Sequence, residues 1–459
     1  MKKILFSVAS KLEMRNHLLV PGGTFELLNN DKDNKIVLII SNPMYDRYKD
    51  YFDSLKSESV EIELIDSQYH MVGKNWLQKL FIFFYSYLVF TPTTRLIASK
   101  GARTGIVAAG GRSYLYGLKW LNYQLFGHFR FIKKYFVPRI YFYVFKDRPY
   151  KFLFDKHNPD LIFLPNVAHG PDIHLLAEAK RWGIKTIGMC GSWDHFNKYF
   201  VPLRLDRLLA WNDPLKEEAL DFEAYESEQI EVVGFPQYDM KYKDVIWDRK
   251  EFLIKIGCPE NKKIILFASE GAYFPDGPDV IDMIDKWIVN KKLSKDAFII
   301  LRLYPGVGPD KILYQRFLNH PNVFIDLVDN WGSRENLINF TNTIYHSDVI
   351  ISTYSTIAID GVVFDKPLIN TNFDGYQKRP KNKSVKRLES FSHFKHVSDT
   401  GALSNVESEN QLLENLNKYL ENPSFNHENR EVMQKRMCWK LDGKSSQRIV
   451  DAITKYLNE

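Results

Sequence analysis

The sequence predicts an α/β protein of two consecutive domains, each a parallel sheet wrapped by helices. Three observations carry that expectation. The chain has 459 residues, more than one hydrophobic core holds at about 100–200 residues per domain. Short, nearly continuous apolar runs alternate with helical patterns, which is how parallel strands buried on both faces read. The alternation breaks near residue 235 and then begins again.

In the first half, residues 3–8, 35–40, 60–65, 160–164, 185–189 and 207–210 read as strands. A helix is expected over 172–182, opened by a capping Asp172 and closed at Gly183. The first strand runs into Ala9-Ser10-Lys11-Leu12, so no G-x-G-x-x-G dinucleotide fingerprint follows it. A strand from Ile230 breaks at Gly234-Phe235-Pro236, and a polar run through Lys250 reads as an interdomain connection. Strands then resume at 263–268, 297–303, 323–326, 349–352 and 367–370, with helices at 280–289, 310–318 and 354–364. The expected organisation is an N-terminal domain 1–235, a C-terminal domain 236–440 and a terminal helix 441–459. The two domains are expected to be Rossmann-like and to face each other.

Composition excludes disordered, collagen-like and disulfide-built chains. Cys190, Cys258 and Cys438 lie far apart, show no metal-ligand spacing and fit a reducing compartment. The start mimics a signal peptide, but its apolar run is short and Lys11, Glu13 and Arg15 follow at once, so a buried first strand is expected. The longest apolar stretch, residues 80–90, is far shorter than a membrane span. A cytoplasmic protein is the expectation.

The segment from Val349 to Asp360 is the most informative. A buried strand runs into Ser352-Thr353-Tyr354-Ser355-Thr356 and then an apolar helix. Hydroxyls and free N–H groups at a helix start suit an anion, although a simple cap would use one of them. Asp360, one helical turn beyond Thr356, suits ribose or sugar hydroxyls, or else a plain helix surface. Two other strand ends point the same way. Ser269-Glu270-Gly271 permits close approach of a diphosphate, and Arg302, followed by Tyr304, offers a phosphate-binding fork or a structural carboxylate pair.

The run Ser347-Asp348-Val349-Ile350-Ile351-Ser352-Thr353-Tyr354-Ser355-Thr356, with Asp360, Lys366-Pro367-Leu368-Ile369 and Leu441-Asp442-Gly443-Lys444-Ser445-Ser446, resembles GT-B-fold transferases. The resemblance is to the CDP-glycerol glycerophosphotransferase and bacterial surface-polysaccharide glycosyltransferase group, over roughly residues 155–459. It implies donor binding by Ser352, Thr353, Ser355, Thr356 and Asp360, and the two other strand ends add Glu270, Gly271, Arg302 and Tyr304 as expected donor-binding residues. It also implies a C-terminal helix packed back on the first domain. Related sequences place His-Pro after the arginine strand. This chain has Tyr304-Pro305, which donates a hydrogen bond but carries no charge at neutral pH.

In the first domain, Gly191-Ser192-Trp193-Asp194-His195 resembles a Ser-Trp-Asp loop of surface-polysaccharide transferases, which share a linker like Gly234-Phe235-Pro236-Gln237-Tyr238-Asp239. Transfer requires a base for the acceptor hydroxyl. Asp194, the adjacent His195, and His169 at a neighbouring strand end are the candidates. Turn formation by Asp194 and a satisfied loop histidine at 169 are the structural alternatives.

The aromatic residues, 14% of the chain, cluster with cations between residues 114 and 152, where Asp147 is the only acid. Rings and cations together suit anionic headgroups, so this segment is expected to meet a membrane surface. Residues 76–90, apolar nearly all round, are expected to be a buried helix. A net charge of +6 without a nucleic-acid motif argues against nucleic acid. The basic run from Lys378 to Arg387 is expected to be a mobile loop beyond the donor site.

The activity implied is transfer of a sugar or polyol phosphate from a UDP-, CDP- or CMP-activated donor to a glycan or lipid-linked acceptor in cell-surface polysaccharide synthesis. No metal and no cofactor are expected. The alternatives are a nucleotide-sugar 2-epimerase, which shares the fold, and a non-catalytic sugar-nucleotide-binding protein.

Overall fold

A computed structural model describes residues 1–66, 73–98, 115–168, 170–198, 200–304, 308–327 and 331–459. The chain divides into two compact units. Unit 1 comprises Met1–Thr94, Gly117–Asp239 and Asp442–Glu459, and unit 2 is built on Met240–Leu441.

Unit 1 is centred on strands β1 (Lys2–Val8), β2 (Asn34–Ser41), β3 (Val60–Ile65), β4 (Leu161–Leu164), β5 (Lys185–Met189), β6 (Arg207–Ala210) and β7 (Ile230–Val232). They form one sheet in the order β3-β2-β1-β4-β5-β6-β7, parallel throughout. Ile4 pairs with Ile36 on one side and Leu161 on the other, and all three are buried. Apolar side chains on both faces of these central strands explain the unbroken hydrophobic runs.

Unit 2 repeats the plan with β8 (Lys263–Ala268), β9 (Ala297–Arg302), β10 (Val323–Asp326), β11 (Val349–Ser352), β12 (Leu368–Thr371) and β13 (Leu403–Val406). Their order is β10-β9-β8-β11-β12-β13, again parallel. Strand β13 escapes the sequence reading because Leu403-Ser404-Asn405-Val406 buries only Val406 among its side chains. In each sheet the connections change direction once, at β1/β4 in unit 1 and β8/β11 in unit 2. Ligands of open α/β sheets bind at the carboxyl ends of strands beside such a switch.

The C-terminal helix, Ser445–Asn458, belongs to unit 1 and packs against the Thr24–Asn30 helix and β5. Ile449 and Ile453 are fully buried there, and the Lys185 ammonium donates to the carbonyl of Tyr456 at 2.9 Å. The linker motif explains itself here. Gly234 takes φ +87°, and a side chain at that position would meet the Ser445 hydroxyl.

Two expectations are corrected. Asp172 opens its helix as the first helical residue, after Pro171, and does not cap it; its carboxylate turns back toward β1 and β4. The Trp76–Ser86 helix is not buried all round. Phe81 and Tyr85 are buried, whereas Trp76, at 74% exposure, stands out with Leu77 and Leu80.

Candidate active site

The switch point of unit 2 lies between the ends of β8 and β11. Glu270 and Gly271 follow β8, with Gly271 at φ +54° starting a tight turn. The Ser269 hydroxyl accepts the Tyr304 N–H at 2.8 Å, which ties the β8 and β9 loops together. Beyond β11, the hydroxyls divide into two sets. Ser352 and Thr353 are buried against β12, where the Thr353 hydroxyl meets that of Thr371. Tyr354 sits at φ +49°, held by its N–H donating to the Asn370 carboxamide at 2.7 Å. Ser355 accepts the Ile357 N–H at 3.4 Å, and Thr356 is exposed at the start of the Ile357–Val363 helix. The Thr353 hydroxyl and the Ser352 carbonyl, which accepts from Thr371 Oγ1 at 3.3 Å, thus tie the turn to β12, while Ser355 is half-buried and Thr356 exposed. Asp360 is half-buried one turn further on.

Arg302 ends β9. Its guanidinium pairs with Asp326 at the end of β10 and lies 4.5 Å from the Phe340 ring centroid. This is the structural carboxylate pair, with the cation compensated inside the protein. The basic run after β12 is likewise ordered by partners. Arg379 forks onto Asp276, Lys386 pairs with Glu407, and buried Arg387 donates to the Tyr273 carbonyl at 2.7 Å. Pro305 and Gly306 lie outside the described residues.

In unit 1, Asp194 and His195 are both buried. The Ser192 hydroxyl donates to Asp194 Oδ1 at 2.6 Å, and the Lys198 ammonium pairs with Oδ2. Asp194 thus already accepts from two donors, and a proton taken up there competes with them. His195 begins the short helix His195–Lys198. His169 lies outside the described residues.

The residues that sequence reasoning passed over sit at the β1/β4 switch. Asn166 Nδ2 donates to Glu13 Oε1 at 2.7 Å, and the Asn166 N–H donates to Asp172 Oδ2 at 3.1 Å. The Ser7 hydroxyl donates to Asp172 Oδ1 at 2.5 Å. Both carboxyls are fully enclosed. Burial, reinforced by Glu13, pushes Asp172 up to about 7, and burial also raises Glu13. A signal existed, since Ser10-Lys11-Leu12-Glu13 is a capping box directly after the first strand.

The aromatic segment forms helices Tyr116–Asn122 and Val137–Val144 with π-helical turns between them. Trp120, Leu125, Phe129, Phe131, Phe136 and Tyr143 are exposed, the last at 68%. The cations are less available than the sequence suggested. Lys119 and Lys133 are buried, the latter 5.7 Å from the Phe200 ring centroid, while Arg130 and Lys134 both pair with Glu226. The face is apolar more than basic. No helix among the described residues is long and apolar enough to cross a membrane.

Glu61, Glu63 and His157 place potential ligand atoms within 4.8 Å of one another. They stand near β3, away from both switch points, and Lys35 and Lys156 already pair with the two carboxylates.

Two parallel-sheet α/β units, with a C-terminal helix returned to the first, define the class of GT-B proteins. Solved structures agree. Staphylococcus aureus MnaA with UDP gives a TM-score of 0.55 at 14% identity, covering 100% of this chain and 97% of that one. Neisseria meningitidis UDP-GlcNAc 2-epimerase bound to UDP-GlcNAc gives 0.54 at 13%, covering 99% and 100%. The wall teichoic acid polymerase TagF with CDPG gives 0.52 at 13%, covering 100% and 88%. Identities this low establish the fold alone. No curated protein matches the chain. The family model of CDP-glycerol:poly(glycerophosphate) glycerophosphotransferases matches residues 212–455, more than half of the sequence, and the chain belongs to that family. The family it belongs to is one of transferases named for a nucleotide-activated donor, CDP-glycerol.

Proposed function

We propose that unit 2 binds a cytidine-diphosphate-activated polyol, or a nucleotide-activated sugar, and passes the activated group to a hydroxyl of a lipid-linked or glycan acceptor. The observation that carries this reading is the β8/β11 switch, where Ser355 and exposed Thr356 follow β11 and Glu270 and Gly271 follow the neighbouring β8. A phosphate there meets hydroxyls and main-chain N–H groups, with Asp360 one turn away for a polyol or ribose hydroxyl.

In the reaction proposed, the acceptor oxygen forms a bond to the β-phosphorus of the donor, or to the anomeric carbon of a sugar. The bond to the nucleotide breaks, and the nucleotide leaves with the electron pair. The acceptor proton passes to Asp194, with Ser192 or Lys198 displaced; His195 and His169 are the competing bases. Hydrogen bonds from hydroxyls and main-chain N–H groups to the leaving phosphate take the place of a metal in this reading. The exposed aromatic face suits a peripheral site on the membrane where a lipid-linked acceptor resides.

The test is thermal shift with CDP-glycerol, CMP-, CDP- and UDP-linked sugars, followed by nucleotide release with and without EDTA. Stabilisation by a CDP-linked donor and EDTA-resistant release support the proposal. No stabilisation by any nucleotide overturns it. Interconversion of UDP-GlcNAc at C2 without transfer identifies an epimerase instead.

A further inference from the structure

The ends of β1, β4 and β5 are cross-linked by one side chain. Asn166, just after β4, donates from Nδ2 to Glu13 Oε1 at 2.7 Å and accepts the Gly191 N–H at Oδ1, 3.2 Å away. Its own N–H donates to Asp172. Nothing at position 191 larger than glycine fits, because a Cβ there would lie 2.6 Å from the Asn166 carboxamide. Gly191 is the first residue of the loop that carries Ser192, Asp194 and His195.

Hydrogen-bond direction gives Glu13 a particular task. Both oxygens of Glu13 accept N–H groups, whereas a carboxamide has one accepting end and one donating end. Glu13 receives the Ser10 N–H on one oxygen and Asn166 Nδ2 on the other. It therefore dictates which way Asn166 faces, and the accepting oxygen is left for Gly191. A reversed carboxamide would set NH2 against the Gly191 N–H, an unmade bond in a buried place. Glu13, Asn166 and Asp172 are all buried, so water does not substitute for these partners.

We propose that Glu13 is a positioning residue of the transferase: through Asn166 it fixes the Gly191 N–H, and with it the loop that presents Asp194. Glu13 acts on the loop and does not itself touch the substrate. The link to catalysis rests on the reading of Asp194 as the base, whereas the link to the loop stands on geometry alone.

The experiment uses the full chain and two readouts. Hydrogen exchange of residues 189–196 reports the loop without any substrate, and nucleotide release from CDP-glycerol reports the reaction. E13Q places a donor where an acceptor is needed, and N166D brings two carboxylates together. Each is expected to speed exchange at Gly191 about tenfold, the scale of one lost buried hydrogen bond. The double variant E13Q/N166D reverses the link: the new amide donates to the new carboxylate, which still accepts from Gly191. It is expected to restore slow exchange, and to restore kcat with little change in KM. A merely structural role predicts additive damage in the double variant. Unchanged exchange in E13Q, or no rescue in the double variant, overturns the inference. Rescue of exchange in a protein that releases no nucleotide upholds Glu13 as the determinant of the loop and sinks the donor assignment instead.

Discussion

The carboxylate of Asp239 accepts the main-chain N–H groups of Ser445 and Ser446, at 3.0 and 2.9 Å, across more than two hundred residues of sequence. A buried anion thus caps the first turn of the C-terminal helix, where unpaired N–H groups and the helix dipole both favour negative charge. Asp239 ends the Gly-x-Pro-x-x-Asp linker, so the motif is an attachment point for the chain's last element. Asp239→Ala leaves two donors unmatched and is expected to cost about 2–3 kcal/mol, on the scale of hydrogen bonds to charged groups. Urea denaturation measures that loss, and deletion of residues 445–459 is expected to be more damaging still.

The hydroxyls of the 352–356 turn are expected to separate by role. Thr356→Val alters an exposed side chain, so it leaves the melting temperature unchanged and weakens donor binding by about tenfold, read by CDP-glycerol titration. Thr353→Val breaks the buried contact with Thr371 and is expected to lower stability by about 1–2 kcal/mol whether donor is present or not. Equal effects of both variants on stability would contradict the division.

Arg302 offers a sharper contrast. Its guanidinium is buried between Asp326 and Phe340, so Arg302→Met removes the cation that faces the Asp326 carboxylate and is expected to destabilise unit 2 by about 3–5 kcal/mol. Adding Asp326→Asn is expected to recover much of this, as a double-mutant cycle in urea would show. Failure to recover would mean that the arginine serves something other than the pair.

The Glu13–Asp172 pair makes stability depend on pH in a definite direction. Asp172 lies near 7 in the folded protein, well above its unfolded value, so the native state binds the proton more tightly. Its contribution is therefore favourable at low pH, declines as pH rises from the ordinary carboxyl range toward 7, and levels off above that. Asp172→Asn removes the titration while keeping a hydrogen-bonding side chain beside Ser7 and Asn166. The difference in melting temperature between the two proteins is expected to favour the wild type most at pH 4 and least at pH 8.

The aromatic face predicts membrane adsorption driven by insertion. Because Arg130 and Lys134 are committed to Glu226, flotation with vesicles should survive high salt, unlike adsorption held by charge. Phe131→Glu is expected to abolish flotation with no change in melting temperature, since this ring is 67% exposed. No flotation of the wild type would return the face to some other partner.

The central strands were legible because residues such as those of 263–268 are apolar on both faces, a pattern that burial in a parallel sheet demands. The Ser352–Thr356 turn was legible for the same reason, as a hydroxyl-rich break directly after such a strand. Burial of the Trp76–Ser86 helix was not, because an apolar circumference reads the same whether protein or lipid covers it. The Glu13–Asn166–Gly191 link was beyond reach. It depends on β1 lying beside β4, and the Asn166–Glu13 bond this permits joins residues 153 apart with no trace in local spacing.

The attachment at Asp239 also orders events in time. Residues 445–459 complete the core of unit 1, yet they leave the ribosome only after Met240–Leu441, the main segment of unit 2. Domains tend to fold as they emerge, and this one holds its first strand ready while its final helix is still unmade. Until that helix emerges, the surface awaiting Ile449 and Ile453 stays open, and unit 1 closes only after the main segment of unit 2 has been made.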